Sequence, residues 1–448
     1  MAEPNATERG RFSTQVALTL AVRLVMTGAS VFAGIIVARW LGAEGLGQLA
    51  VINVSVATVV QLASAGLPSA NTYFIAQDQK HLAAAAVNSL LFAIVVGGLL
   101  AFALVALATA YPAAFNAVPS RLIAVAAVAI PFQLMTLIGL NIFLALGQVK
   151  RFNMLDLAGQ VFVVINALIA LIVLGRGLWT LVSLNTAFAI LVAIVVGSLI
   201  TIHVRRQQTK KLWRPQASLF ASMIRYGMKF HVSILAGALI FRADLLVVNH
   251  YRGSAEAGVY SVASQVAMML MLLPGVIATL LFPRVAAEQD KRGETTALVS
   301  RHSTFVMCII CLAAAPVSFV LPVLYGDAFA DVPVQLLILL PGVFLIGLES
   351  VLVQHFNAMG LPPAIPIFWV LTLLLNLILV FALVPPLGAR GAAIASSLSY
   401  LLIFALVAGY FRWKTGRSLA DTFLLRASER RFLLTPRNWT ASRRSVTG

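Results

Sequence analysis

Gly42-Ala43-Glu44-Gly45-Leu46-Gly47 is matched 211 residues later by Gly253-Ser254-Ala255-Glu256-Ala257-Gly258, with the same G-x4-G spacing at the end of an apolar run. Working outward, Phe143-Leu144-Ala145-Leu146-Gly147 pairs with Phe356-Asn357-Ala358-Met359-Gly360 at an offset of 213. Gly175-Arg176-Gly177 pairs with Gly388-Ala389-Arg390-Gly391 at 213 to 214. Three matches in one order at nearly one offset mark an internal duplication. Each half carries six apolar runs. An even number gives both halves the same orientation, related by an axis along the membrane normal.

The runs lie at about 14–38, 46–75, 83–111, 121–146, 154–175, 178–203, 228–251, 256–282, 301–325, 333–358, 364–385 and 391–411. Hydrophobic residues make up 60% of the 448 and charged residues 10%. A soluble chain needs a larger polar skin, near 25% charged, so a soluble domain is excluded. The runs are about twice the length of a barrel strand and do not alternate, so they read as helices that satisfy their own backbone hydrogen bonds. The fold class expected is an all-α polytopic membrane protein of about 12 transmembrane helices in two six-helix lobes with pseudo-two-fold symmetry. The expected parts are an N-lobe at 1–203, a basic linker at 204–227, a C-lobe at 228–412 and a basic tail at 413–448. The tail is either an interfacial helix or a disordered segment. The first run is too long for a signal-peptide core and reads as an uncleaved span.

Net charge is +17. Of the 32 Lys and Arg, only Arg39, Arg121, Arg176, Arg252 and Arg390 fall on one side of the span pattern. Arg23, Lys229 and Arg242 lie inside spans, and the remaining 24 share the side of the termini. The asymmetry places both termini in the cytoplasm. The charge is thus a topology signal and an attraction to anionic lipid, with no nucleic-acid partner implied. Cys308 and Cys311 lie in one apolar run and read as packing residues, with no disulfide framework or zinc site.

No phosphate loop, zinc-protease motif or nucleophile elbow is present, and the short outer loops leave no room for an active site; no enzyme and no cofactor is expected. The informative residues are charges within spans, which cost about 2.5–3.5 kcal/mol each unless they face a cavity or a partner. Arg23 lies about 14 Å into the first span at 1.5 Å per residue. Arg242 and Asp244 sit two apart in the seventh span and so point to different faces. Lys229 and His231 open that span, and Glu349 and His355 share the tenth. One reading has a cationic cavity, with Arg23 and Arg242 gripping phosphate bidentately and Lys229, His231 and His355 as further substrate contacts. The other has ion pairs between helices, such as Arg23 with Asp244. Glu349 and Asp244 are candidates for an ion-coupling site, for H+ or Na+, or for such a pair. Asp156 reads as solvated at the lip of the fifth span. Pro68, Pro131, Pro274, Pro316 and Pro341 are expected to kink their helices.

These residues carry a family resemblance. Ala38-Arg39-Trp40-Leu41-Gly42, Tyr226-Gly227, Arg242-Ala243-Asp244, Gly258-Val259-Tyr260-Ser261-Val262-Ala263, Leu281-Phe282-Pro283-Arg284, Tyr325-Gly326, Leu340-Pro341-Gly342 and Gly388 through Ala395 are similar to the polysaccharide flippase branch of the multidrug/oligosaccharidyl-lipid/polysaccharide exporter superfamily. The resemblance covers nearly the whole chain and is most specific over 226–284. It implies two six-helix lobes forming a V and a cationic central cavity. It also implies a polyprenyl-diphosphate-linked oligosaccharide, flipped from the inner to the outer leaflet of a bacterial plasma (inner) membrane by alternating access. Surface polysaccharide biosynthesis (O-antigen, capsule or exopolysaccharide) is the setting it implies, with membrane lipids and other assembly proteins as partners and a monomer as the working unit. The alternative is a cation-coupled multidrug exporter of the same superfamily. Such exporters use N-lobe carboxylates, of which the N-lobe spans here hold only Asp156.

Overall fold

The computed structural model describes residues 6–116, 118–207, 214–288 and 290–426. Lys210 and Lys211 of the basic linker, and the tail beyond 426, lie outside them. The described chain is helical with no strand. Helix α1 (Ala6–Ala63) leads to α2 (Leu67–Gln77), α3 (Leu82–Ala110), α4 (Ser120–Ala127), α5 (Ala129–Ala145), α6 (Val149–Ala167) and α7 (Leu178–Gln207). After the linker come α8 (Ala217–Ile240), α9 (Ala243–Arg252), α10 (Ser254–Leu270), α11 (Leu272–Glu288), α12 (Glu294–Ser318), α13 (Val332–Ala358), α14 (Ala364–Leu387), α15 (Ala389–Thr415) and α16 (Leu419–Phe423).

Eleven stretches among the described residues are long and apolar enough to cross a bilayer. The first, Ala21–Ala63, has 43 residues. At 1.5 Å per residue that is about 65 Å, twice the ~30 Å hydrocarbon core. It holds two passes, divided at Gly42, whose φ of 69° and ψ of −174° no helix tolerates. Eleven stretches are therefore twelve passes. The duplication is built into the backbone. Gly253, the counterpart of Gly42, has φ 89° and ψ 171°. The other two repeat pairs also share positive φ, at Gly147 and Gly360 and at Gly175 and Gly388.

Several passes are broken. The second is interrupted between Ala63 and Leu67, with Pro68 in the first turn of α2, where its missing N–H costs nothing. The eighth breaks at Met271, just before Pro274, as its proline predicts. The seventh breaks between Ile240 and Ala243, where no Gly or Pro signals it, and Arg242 (φ −137°, ψ −26°) stands in the gap.

In the N-lobe α3 packs on α5 and α4, α5 on α7 and α2, and α1 on α6; in the C-lobe α15 packs on α13 and α14, and α12 and α11 on α13. Helices α13 and α15 are among the most enclosed. Phe102, Leu99, Ile378 and Phe381 face outward, an apolar surface suited to lipid rather than water.

The lobes touch at both ends of a seam between α1–α2 and α8–α10. At the Gly42/Gly253 end α1 crosses α10. A Cβ on Gly47 would stand 2.9 Å from the Gly258 nitrogen, and one on Gly258 would stand 2.9 Å from the Gly47 nitrogen. The same additions would collide with the Ser254 and Ala43 carbonyls respectively. Each glycine therefore meets its own counterpart, the reciprocal pattern of a two-fold contact. Two latches flank it. Arg39 Nε donates to the Leu324 carbonyl at 2.8 Å, and its Nη2 donates to that of Val323. His250 Nδ1 lies 3.0 Å from the Ala113 carbonyl oxygen. Both donors and both acceptors are 211 residues apart. Asn249 and Asn116 add a crossed pair: Asn116 donates to the Asn249 carbonyl at 3.0 Å, and Asn249 to that of Phe115 at 2.9 Å. At the other end Gly66 and Gly227 leave each other no room for a Cβ, and Ser64 Oγ lies 3.5 Å from His231 Nδ1.

Candidate functional site

Between these two contacts lies a cavity of about 1140 Å³. Its walls come from both arms of α1, from the end of α4, from α5, α6 and α7, and from α8, α9 and α10 with the break between them. It exceeds the ~300–1,000 Å³ typical of small-molecule sites. Helices α11 to α15 do not line it, so the hollow is lopsided toward the N-lobe.

Arg242 reaches it through the broken seventh pass. The gap turns its backbone out of the regular α8 ladder, with its N–H donating to the Leu239 carbonyl at 3.1 Å, and its side chain stands exposed in the hollow. Among the described residues no carboxylate pairs with it. Asp244 also touches the hollow but is committed elsewhere. Its carboxylate accepts from the hydroxyls of Tyr260 and Ser396, the latter at 2.9 Å, and from the Leu245 N–H at 2.8 Å. It thus ties α9 to α10 and α15 and is buried. The Arg23–Asp244 pair weighed from the sequence is not formed.

Arg23 is exposed on α1 and does not line the hollow. It lies close enough for its charge to act on Asp156. Asp156 is half-buried and faces the hollow, rather than standing as a free lip residue. Lys229 is exposed on α8, away from the lining. His231 is buried in the seam beside Ser64. His355 is buried in the C-lobe, 3.0 Å from Thr296 Oγ1, which with its own N–H donates to Asp290. Glu349 is buried in α13 with Oε1 lacking a hydrogen-bond partner, also away from the hollow. Of the seven residues singled out from the sequence, the hollow gathers Arg242 and Asp244. Among the described residues no group of three His, Cys, Asp or Glu could hold a metal ion.

What the sequence reading passed over is the lining's neutral polarity. Asn53 on α1, Gln133 on α5, Gln160 on α6, Asn185 on α7 and Gln265 on α10 all face the hollow. Gln160 accepts from Ser30 at 3.1 Å, and Asn185 accepts from Asn166 at 2.6 Å. Phe162 and Phe188 stack at 3.6 Å between ring centres on the same wall. The signal was available as amides recurring inside apolar runs, which need a polar partner or water there. The lining is therefore not the cationic surface the resemblance implied: among the described residues it holds one arginine and two aspartates.

Fold and site together define a class: a two-lobed, twelve-pass helical membrane protein with a polar hollow on the lobe seam. The chain belongs to the polysaccharide biosynthesis protein family, whose model matches residues 36–333. It is 22% identical over 243 residues to a probable low-salt glycan biosynthesis flippase, Agl15, of Haloferax volcanii, a match covering 53% of this chain and 52% of that protein. The match thus spans about half of that relative's length. In fold it is similar to the lipid II flippase MurJ in an inward closed conformation, with a TM-score of 0.68 and 15% identity over 91% of this chain and 89% of that one. It is also similar to a multidrug resistance MATE family transporter of the MOP superfamily in its inward-facing conformation, with a TM-score of 0.63 and 18% identity over 89% and 98%. At these identities the two structures speak for the fold alone.

Proposed function

We propose that the chain is a flippase that moves a polyprenyl-diphosphate-linked oligosaccharide from the inner to the outer leaflet of a bacterial plasma membrane, for surface polysaccharide synthesis. The observation that carries the reading is the large hollow on the lobe seam with an unpaired arginine at a helix break. An arginine kept free at membrane depth is costly unless it meets water or an anion, and a diphosphate supplies that anion. The sugars enter the hollow while the lipid tail stays in the bilayer. Both termini are cytoplasmic in this reading, which puts the Gly47/Gly258 contact at the outer end and Gly66/Gly227 at the inner end. The two contacts open in turn, which is alternating access. Glu349, a buried carboxyl with an unmet oxygen, is the candidate for a coupling proton or sodium ion, apart from the cargo path. The protein works as a monomer, with no catalytic step. The relative's description as a flippase of glycan biosynthesis supports the reading.

The test is reconstitution. Purified protein in proteoliposomes should move a fluorescent lipid-linked oligosaccharide across the bilayer, and in cells deletion should trap lipid-linked repeat units on the cytoplasmic face. A protein that exports amphipathic cations but moves no lipid-linked sugar would instead be the cation-coupled multidrug exporter. The Asp156 carboxyl facing the hollow favours that second reading.

A further inference from the structure

In and beside the hollow, basic and acidic side chains are equal in number. Arg242 and Arg23 are offset by Asp156 and Asp244, and both aspartates, but only Arg242 of the two arginines, touch the lining. The rest of the polar wall is amides and hydroxyls. The side-chain amides of Asn53, Gln133 and Gln265 form no hydrogen bond within the described structure, although each faces the hollow. A free primary amide offers two donors and an acceptor side by side. Vicinal hydroxyls, which both donate and accept, match that set. A carboxylate only accepts: it leaves the amide oxygens unmet and adds a negative charge near two others. The Phe162–Phe188 stack supplies an apolar wall for the C–H faces of a sugar ring.

We propose that the hollow selects glycans built of uncharged, hydroxyl-bearing sugars, with Arg242 taking a phosphate of the lipid linkage. Sugars bearing carboxylates, such as uronic acids, are disfavoured by Asp156 and Asp244. This selectivity rests on the flippase reading above and narrows it to a cargo class.

The experiment uses the full-length protein in proteoliposomes and two polyprenyl-diphosphate-linked oligosaccharides that differ at one residue, a hexose in one and the matching hexuronic acid in the other. The neutral cargo should move at least tenfold faster, and Asp156→Asn should narrow the ratio at least threefold. Gln133→Leu and Gln265→Leu should each raise KM for the neutral cargo about tenfold or more while changing kcat less, as when a polar contact to a hydroxyl is removed. Equal or faster movement of the uronate cargo overturns the selectivity and leaves the flippase reading standing. Movement of neither cargo, with folded protein in the vesicles, overturns the flippase reading and the selectivity with it.

Discussion

Arg242 was visible in the sequence because a charge inside an apolar run has to be explained. Its environment was not visible. The hydroxyls that occupy Asp244 come from Tyr260 and Ser396, 16 and 152 residues away, and only the folded C-lobe brings them together. The free amides carry no formal charge, so the insertion cost of ions does not single them out, although each needs a polar partner or water inside a span. At this scale the prediction concerns the guanidinium. A hydrogen bond to a charged group contributes about 1.5–3 kcal/mol, so Arg242→Ala should slow flipping roughly 10- to 100-fold with normal protein levels. Arg242→Lys should recover part of the rate, because it keeps the charge and loses the fork. Normal transport by Arg242→Ala, read in the proteoliposome assay, would remove the arginine from the path.

Among the elements, what the sequence disclosed were breaks with a chemical signature. Pro274 and Pro68 mark interruptions of their passes, and the paired glycines mark the turns after the first and seventh. The break at Arg242 has no such mark: Leu239-Ile240-Phe241 runs into it and Leu245-Leu246 leaves it, so periodicity passes straight through. Gly42 sits where a side chain is strained whatever space surrounds it. Gly42→Ala should cost about 1–3 kcal/mol, measurable as a lower melting temperature in detergent. Gly258 poses a different problem, since an added methyl would meet the backbone of Ala43 and Gly47, which cannot swing aside. Gly258→Ala should therefore hold this end of the seam apart. A cysteine at Asn53, in a background lacking Cys308 and Cys311, should react faster with a water-soluble thiol reagent, and transport should fall at least tenfold. An unchanged labelling rate would show that the seam closes without this contact.

For the whole molecule, twelve passes and their duplication were legible, because run length and a repeated offset survive without knowing which faces meet. The lopsided hollow was not legible, since its lining depends on how α1, α5, α6 and α7 turn toward α8–α10. If the two ends of the seam must open in turn, pinning either one should stop the cycle. Ser64→Cys with His231→Cys places two thiols where Oγ and Nδ1 lie 3.5 Å apart. Oxidation of that pair should halt flipping and a reductant should restore it, whereas transport that persists under oxidation would argue against opening at this end.

The reciprocal meeting of Gly47 with Gly258 has a consequence for ancestry. Two copies of one six-helix chain could make that contact between themselves, Arg39-like latch and all, from a single gene. The hollow could not arise that way, because identical copies would line it evenly. Joining the halves into one polypeptide lets matching positions differ, as Arg39 and His250 do, and lets one half supply most of the wall of the hollow.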